Sequence, residues 1–178
     1  MYVSEVKTTK PSHYAGALHQ EVYETLEALH IPFERVENDP ALTMEDCAEI
    51  DRRLQVKTVK TLLLCNRQQT AFYLFVTPGD KPFVTKNFSH ALGVSRVSFA
   101  PEAYLSSLLG TVLGATTVLT LIKDRDMAVR LVIDKEILSY TYYGCTDSTT
   151  TGYMRLQLSD VLEKYLPFTG HEPTYVDV

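Results

Sequence analysis

Apolar residues at Leu18, Val22, Leu26 and Leu29 recur at spacings of four, four and three, which places them on one face of a helix. Ser12 is a suitable N-cap for it, and Ile31-Pro32 ends it. "PFERVE" is a short strand. The turn "NDPALTMED" then leads into a second helix, with Thr43 as cap and Asp46 three residues on in the manner of a capping box, ending near Leu54. "VKTLLLCN" and "AFYLFVT" are almost continuously apolar and are joined by the polar "RQQT". That pattern predicts a hairpin inside a covered sheet. After the turn "PGDKP", "TKNFSHALG" reads as a short helix capped by Thr85 and stopped by Gly93. A strand "SRVSF" precedes the helix "APEAYLSSLLG", which has Pro101 in its first turn and Gly110 past its end.

The run "GTVLGATTVLTLI" holds two glycines four apart and continues into β-branched residues, predicting a strand. "DRDM" turns the chain into the strand "AVRLVID". "YTYY" and "YMRLQL" flank a hydroxyl-rich stretch, and Ser159 is placed to cap a last helix, "DVLEKYLPF". Helices and strands do not alternate regularly, and no internal repeat or low-complexity segment interrupts them. The pattern predicts an α+β fold over residues 1–178 as a single domain, with a mixed or antiparallel central sheet flanked by helices.

Composition narrows the function. The 178 residues are 45% hydrophobic, enough for one core, and no apolar run is long enough to cross a bilayer. The polar start "MYVSEVKTTKPSHY" is unlike a signal peptide. The three cysteines, Cys47, Cys65 and Cys145, lie far apart, and His13, His19, His30, His90 and His171 are scattered, so neither disulfides nor a metal site is expected. A cytoplasmic protein without cofactors fits these features. A net charge of -5 argues against general coating of DNA or other nucleic acid. The charge is uneven, however. Residues 1–50 carry three basic and ten acidic side chains, whereas Arg52, Arg53, Lys57, Lys60 and Arg67 face only Asp51 within residues 51–70. This local basic patch is either a solvated face or a contact for one end of a polyanion.

Candidate chemistry is sparse. Cys145 has no neighbouring base or cation in sequence to lower its pKa, so a free structural cysteine is the better reading. No GxSxG elbow is present, and Ser148 has no evident histidine partner. "GTVLGATT" lacks the GK[ST] ending of a P-loop. Lys60 stands where a linker enters the apolar strand "TLLLC". It either guards the strand end or presents a point charge to a phosphate or a developing oxyanion.

Several segments together resemble the YbaK/prolyl-tRNA synthetase-associated editing domains, in particular the free-standing alanyl-tRNA(Pro) deacylases. These are "IPFERVENDPALTMED", "VKTLLLCNRQQTAFYLFVTPGDK", "ALGVSRVSFA", "LLGTVLGATTVLTLIKDRDMAVRLVID", "GCTDSTTT" and "LSDVLEKYLPFTGHEP", in the family's order across almost the whole chain. The resemblance implies hydrolysis of the ester between a wrong amino acid and the terminal adenosine of a tRNA, with a synthetase as a further partner. It places the family's lysine, which contacts the 3′ end, on Lys60. Its glycine loop falls on Gly110 to Val118, with the Gly114 backbone N–H near the scissile carbonyl. Thr43, Ala115, Thr116, Gly144, Ser148, Thr149 and Thr151 are the implied substrate-binding positions; on the charge pattern alone, Arg52, Arg53, Lys57 and Arg67 are the candidate tRNA phosphate contacts. Such a site works with a backbone donor and a substrate ribose hydroxyl in place of a triad. Departures from the family pattern fall on Leu113, Ala115 and Val118 in the glycine loop, on Gly144, Cys145 and Ser148, and on Asn38 and Asp39. They leave open a diverged member that binds a tRNA 3′ end, an aminoacyl nucleotide or a protein without turnover. The hydroxyls of Ser148, Thr149 and Thr151 are expected to form one wall of a polar pocket.

Overall fold

The computed structural model describes residues 1–178. Eight strands form two sheets: β1 (Phe33–Glu37), β2 (Val59–Asn66), β3 (Phe72–Pro78), β4 (Val97–Phe99), β5 (Val129–Asp134), β6 (Tyr142–Thr146), β7 (Gly152–Gln157) and β8 (Thr174–Val176). The larger sheet has the order β4-β2-β3-β5-β8. β2 runs antiparallel to both β3 and β4, whereas β5 is parallel to β3 and to β8. The smaller sheet, β1-β7-β6, is antiparallel throughout. The α+β class with mixed sheet therefore holds, but the sheet is divided in two. A parallel bridge between Thr58 and Gly144 joins the parts.

The division follows from where apolar side chains point. β3 is buried at every position, and its residues alternate between two layers. Phe72, Leu74 and Val76 enter the main core, while Tyr73 and Phe75 pack with Phe88 beneath α3 (Thr85–Leu92). The smaller sheet sends Tyr143, Cys145, Met154 and Leu156 into the main core; its other face, with Val36 and Tyr153, is covered by Cys47, Ile50 and Leu54 of α2 (Cys47–Leu54). α1 (Ala17–Ala28) and α4 (Glu102–Leu109) close the main core.

The structure revises several local readings. α1 starts after Gly16, not Ser12, and just ahead of it the Ala15 amide donates to Nδ1 of His19 in the first turn, 2.9 Å away. The Thr43–Asp46 box forms one turn ahead of α2: the Asp46 carboxylate accepts the Thr43 amide at 3.0 Å, and the Thr43 hydroxyl accepts the Asp46 amide at 3.3 Å. Val84, not Thr85, holds the N-cap position of α3. The strand expected after Gly114 is a 3-10 helix, Val118–Lys123. Val118 through Ile122 are all buried, and this segment packs against α1 and α4 in place of pairing with a strand, so burial overrides β-branched propensity. The last helix, α5, spans residues 158–169 and begins after Gln157 with Ser159 already inside it. Its middle, Val161–Tyr165, widens into a π turn just before Pro167, which has no amide to return to the preceding turn. The edge strand β8 has no signal in its three residues beyond a β-favouring Tyr-Val pair.

Candidate active site

At the junction of the two sheets lies a cavity of about 370 Å3. The start of β2 forms its floor, from Thr58 to Leu63. The 42–44 turn, the β4–α4 corner, the glycine loop and the end of β6 form its walls. Leu42, Phe99 and Leu113 remain exposed at its rim, and Leu63, Leu105 and Cys145 lie deep. Only two of its side chains are ionisable at neutral pH, Lys60 and Glu102.

Lys60 is the second residue of β2 and stands opposite Thr77 of β3. Its Nζ donates to the Lys81 carbonyl and pairs with no carboxylate. Burial holds its pKa below the usual lysine value, partly opposed by the charge of Asp80. The Lys81 segment is itself anchored: the Lys81 ammonium reaches the buried Asp134 at 2.8 Å, and Asp134 also accepts from Thr77 Oγ1 at 2.8 Å. The ammonium of Lys60 is thus aimed by a peptide carbonyl and keeps its charge for a ligand.

Gly114 adopts φ +85°, in the left-handed region where a side chain is strained, and an added Cβ would sit 3.1 Å from Leu42 Cδ2. Its amide donates to no acceptor in the protein. The loop around it is knotted through the Ala115 carbonyl, which accepts the hydroxyls of Thr111 at 3.2 Å and Thr146 at 3.0 Å. Ala115 is fully buried behind the loop, and its amide donates to the Val112 carbonyl. This bracing fixes the backbone of the glycine loop.

Of the positions implied by sequence, Thr43, Lys60, Gly114 and Thr116 line the cavity. Ala115, Gly144, Ser148, Thr149 and Thr151 stand behind its walls. Gly144 is a contact point between sheets, because a Cβ there would lie 2.7 Å from Val56 Cγ1. Ser148 takes φ +78°, and its buried Oγ has no partner. The hydroxyl run is organised around buried Asp147. One carboxylate oxygen of Asp147 accepts the Thr149 amide and hydroxyl; the other accepts from Tyr23 and His19, each at 2.8 Å. Since His19 Nδ1 accepts the Ala15 amide, its proton lies on Nε2, facing Asp147. The loop in turn receives the amides of Asn38 and Ala41 on the carbonyls of Thr151 and Thr150. Its role in the geometry is to prop the segment carrying Leu42 and Thr43.

Cys145 lines the cavity, but burial pushes its thiol up to about 12, against the opposing contact with Thr117. It is a wall and not a nucleophile. The basic residues do not form one patch. Arg52 and Arg53 are both engaged by Glu49, and Arg53 also reaches the Ser4 carbonyl. Arg67 lies beyond the far end of β2. Lys57 borders an adjoining cavity of about 240 Å3 that shares Met44 and Thr58 with the first. Sequence reading passed over Glu102, Phe99, Thr58 and Tyr153. Glu102 and Phe99 carry a faint signal, as a charged and an aromatic residue on either side of Pro101.

The fold that carries this cavity has known counterparts. A model of the aminoacyl-tRNA editing domain matches residues 38–163, the span that contains every wall of the cavity. The chain belongs to that family. A curated relative in it is the prolyl-tRNA editing protein ProX of Acetoanaerobium sticklandii, 27% identical over 152 residues, covering 85% of this chain and 92% of ProX. Among solved structures, one of a hypothetical protein superposes with a TM-score of 0.66 at 21% identity, covering 88% of this chain and 98% of that one. Another, of a candidate trans-editing enzyme for prolyl-tRNA synthetase, has a TM-score of 0.65 at 16% identity, covering 92% and 98%. These structures share the editing-domain fold. No helix of the protein is long and apolar enough to cross a membrane.

Proposed function

We propose that the protein is a trans-editing aminoacyl-tRNA deacylase that removes a small amino acid such as alanine from tRNA(Pro). The observation that carries this reading is that a partly desolvated lysine and a glycine whose amide has no acceptor in the protein both line one largely apolar cavity, within a family of aminoacyl-tRNA editing domains. The volume, about 370 Å3, lies in the range of small-molecule sites, ~300–1,000 Å3, and suits the end of an aminoacylated strand better than a duplex.

In this mechanism Lys60 holds the anionic end of the 3′ nucleotide, and the ester carbonyl oxygen points to the Gly114 amide. A water oriented by the substrate's own ribose hydroxyl attacks the carbonyl carbon. Negative charge builds on the carbonyl oxygen, where a fixed N–H stabilises it without reorganising. The ester C–O bond then breaks, the proton from water ends on the ribose oxygen, and free amino acid and tRNA leave. Thr43 and Thr116 offer hydroxyls at the cavity wall. Lys57, beside the neighbouring cavity, is the nearest further phosphate contact, and a synthetase is the natural source of the charged tRNA.

The test is to incubate the purified protein with tRNA charged with alanine, serine, cysteine or proline and follow loss of the ester. Hydrolysis of one of these, abolished by Lys60→Ala, is expected. Retained tRNA binding with no hydrolysis would favour the second reading, a binding module. That reading draws on the departures from the family pattern at Leu113 and Val118 in the glycine loop.

A further inference from the structure

The two ionisable side chains of the cavity have opposite charge, and only one has a role above. Glu102 is the first residue of α4, and a glutamate in the first helical turn interacts favourably with the helix dipole. That accounts for its position in sequence but not for its surroundings. Glu102 and Leu105 lie three residues apart on one face of α4, and both border the cavity, with Leu105 buried. The ion pairs of the protein leave Glu102 without a cation. The other carboxylates nearby are not equivalent. Asp51 is spent on the amide and hydroxyl of Thr58, and Asp80 borders the adjoining cavity.

An aminoacyl ester is itself a dipolar ligand. Its nucleotide end is anionic, its α-amino group is cationic, and a side chain branches between them. Lys60 from β2 and Glu102 from α4 offer the complementary charges, with the apolar side chains of Leu63, Leu105 and Phe99 lining the same cavity. We propose that Glu102 receives the α-ammonium of the aminoacyl group, so that the site selects esters of free amino acids over N-blocked ones. This rests on the deacylase reading for the identity of the ligand but not for turnover.

The test measures binding of two non-hydrolysable probes to the full chain: the 5′-monophosphate of 3′-deoxy-3′-(L-alanylamino)adenosine and its N-acetyl derivative. Glu102 is exposed, so the wild type is expected to bind the free amine about fivefold more tightly, the upper scale of an exposed ion pair. Glu102→Gln should bind the two probes equally, with only the small drop in melting temperature that loss of the helix-dipole contact brings, and Glu102→Asp should recover part of the preference. A preference that survives in Glu102→Gln overturns the proposal, as does a wild type that binds neither probe or both alike. Hydrolysis of charged tRNA is followed in parallel. Preference without hydrolysis removes the deacylase and leaves Glu102 its role, whereas hydrolysis without preference removes only the role of Glu102.

Discussion

Lys60 is a cation held in place by a peptide carbonyl, and that has a thermodynamic signature. Because burial lowers its pKa, folded Lys60 loses its proton at a lower pH than the unfolded chain, whose lysine titrates near 10.5. Between those points the unfolded state binds more protons, so wild-type stability rises with pH, and the full penalty is present below the folded pKa. Lys60→Met removes the group. Its stability relative to the wild type should therefore fall as pH is raised toward 10.5, as read from paired thermal melts, while hydrolysis is lost at every pH. A difference that stays flat over that range would mean that Lys60 is not held desolvated. Gly114→Ala tests the opposite kind of residue, one whose contribution is its backbone. A left-handed φ costs a side chain about 1–2 kcal/mol, and Leu42 stands 3.1 Å from the new Cβ. Stability should drop by that amount; alanine keeps the N–H, so kcat should fall, by up to about a hundredfold, only as far as the strained loop turns that donor away. Unchanged kcat beside the stability loss would mean that the aim of the Gly114 amide does not matter to the reaction. Both residues were picked out through the resemblance to the editing domains, not from their local strings, and both line the cavity. Glu102 was not, since a first-turn glutamate is unremarkable until the cavity beside it is seen.

At the scale of elements, the β6–β7 hairpin shows how a conspicuous sequence acquires a different meaning in space. The run from Ser148 to Thr151 suggests a ligand-facing wall, yet its polarity is turned toward Asp147, which also gathers His19 and Tyr23 from α1. Partners so far apart in the chain leave no local signature. Asp147→Asn would set an amide N–H₂ against existing donors and leave at least one buried group unpaired, at a cost of ~1–3 kcal/mol for each. We expect about 3 kcal/mol lost in urea denaturation, together with a raised KM, since the hairpin carbonyls hold Asn38 and Ala41 and so the Thr43 wall. A loss of stability with KM unmoved would sever that link. Most helices and strands were legible from periodicity alone. The segment Val118–Lys123 was not, because a fully buried 3-10 helix and a fully buried strand present the same apolar run.

For the whole molecule, the separation of basic residues limits how much tRNA can be gripped. Lys60 and Arg67 occupy opposite ends of β2, roughly 20 Å apart at ~3.3 Å per residue, and Arg52 and Arg53 are already engaged by Glu49. With Lys57 and Lys60 as the phosphate contacts, log K should fall with log salt at a slope of about -1.5, and Lys57→Ala should reduce it by ~0.7. A slope several times steeper would point to a larger cationic surface elsewhere. That the fold comprises two sheets was not legible, because the joint is one bridge, Thr58 to Gly144, and the residues flanking the cavity are recruited from most of the chain's length. The order of the smaller sheet has a further consequence during synthesis. β1 is made about 115 residues before β7, its neighbour and the middle strand that β6 also requires. In that interval β1 can be held only by its bridges to Val3 and Lys7 on its other edge, and the cavity, which takes Tyr153 from β7, stays unfinished.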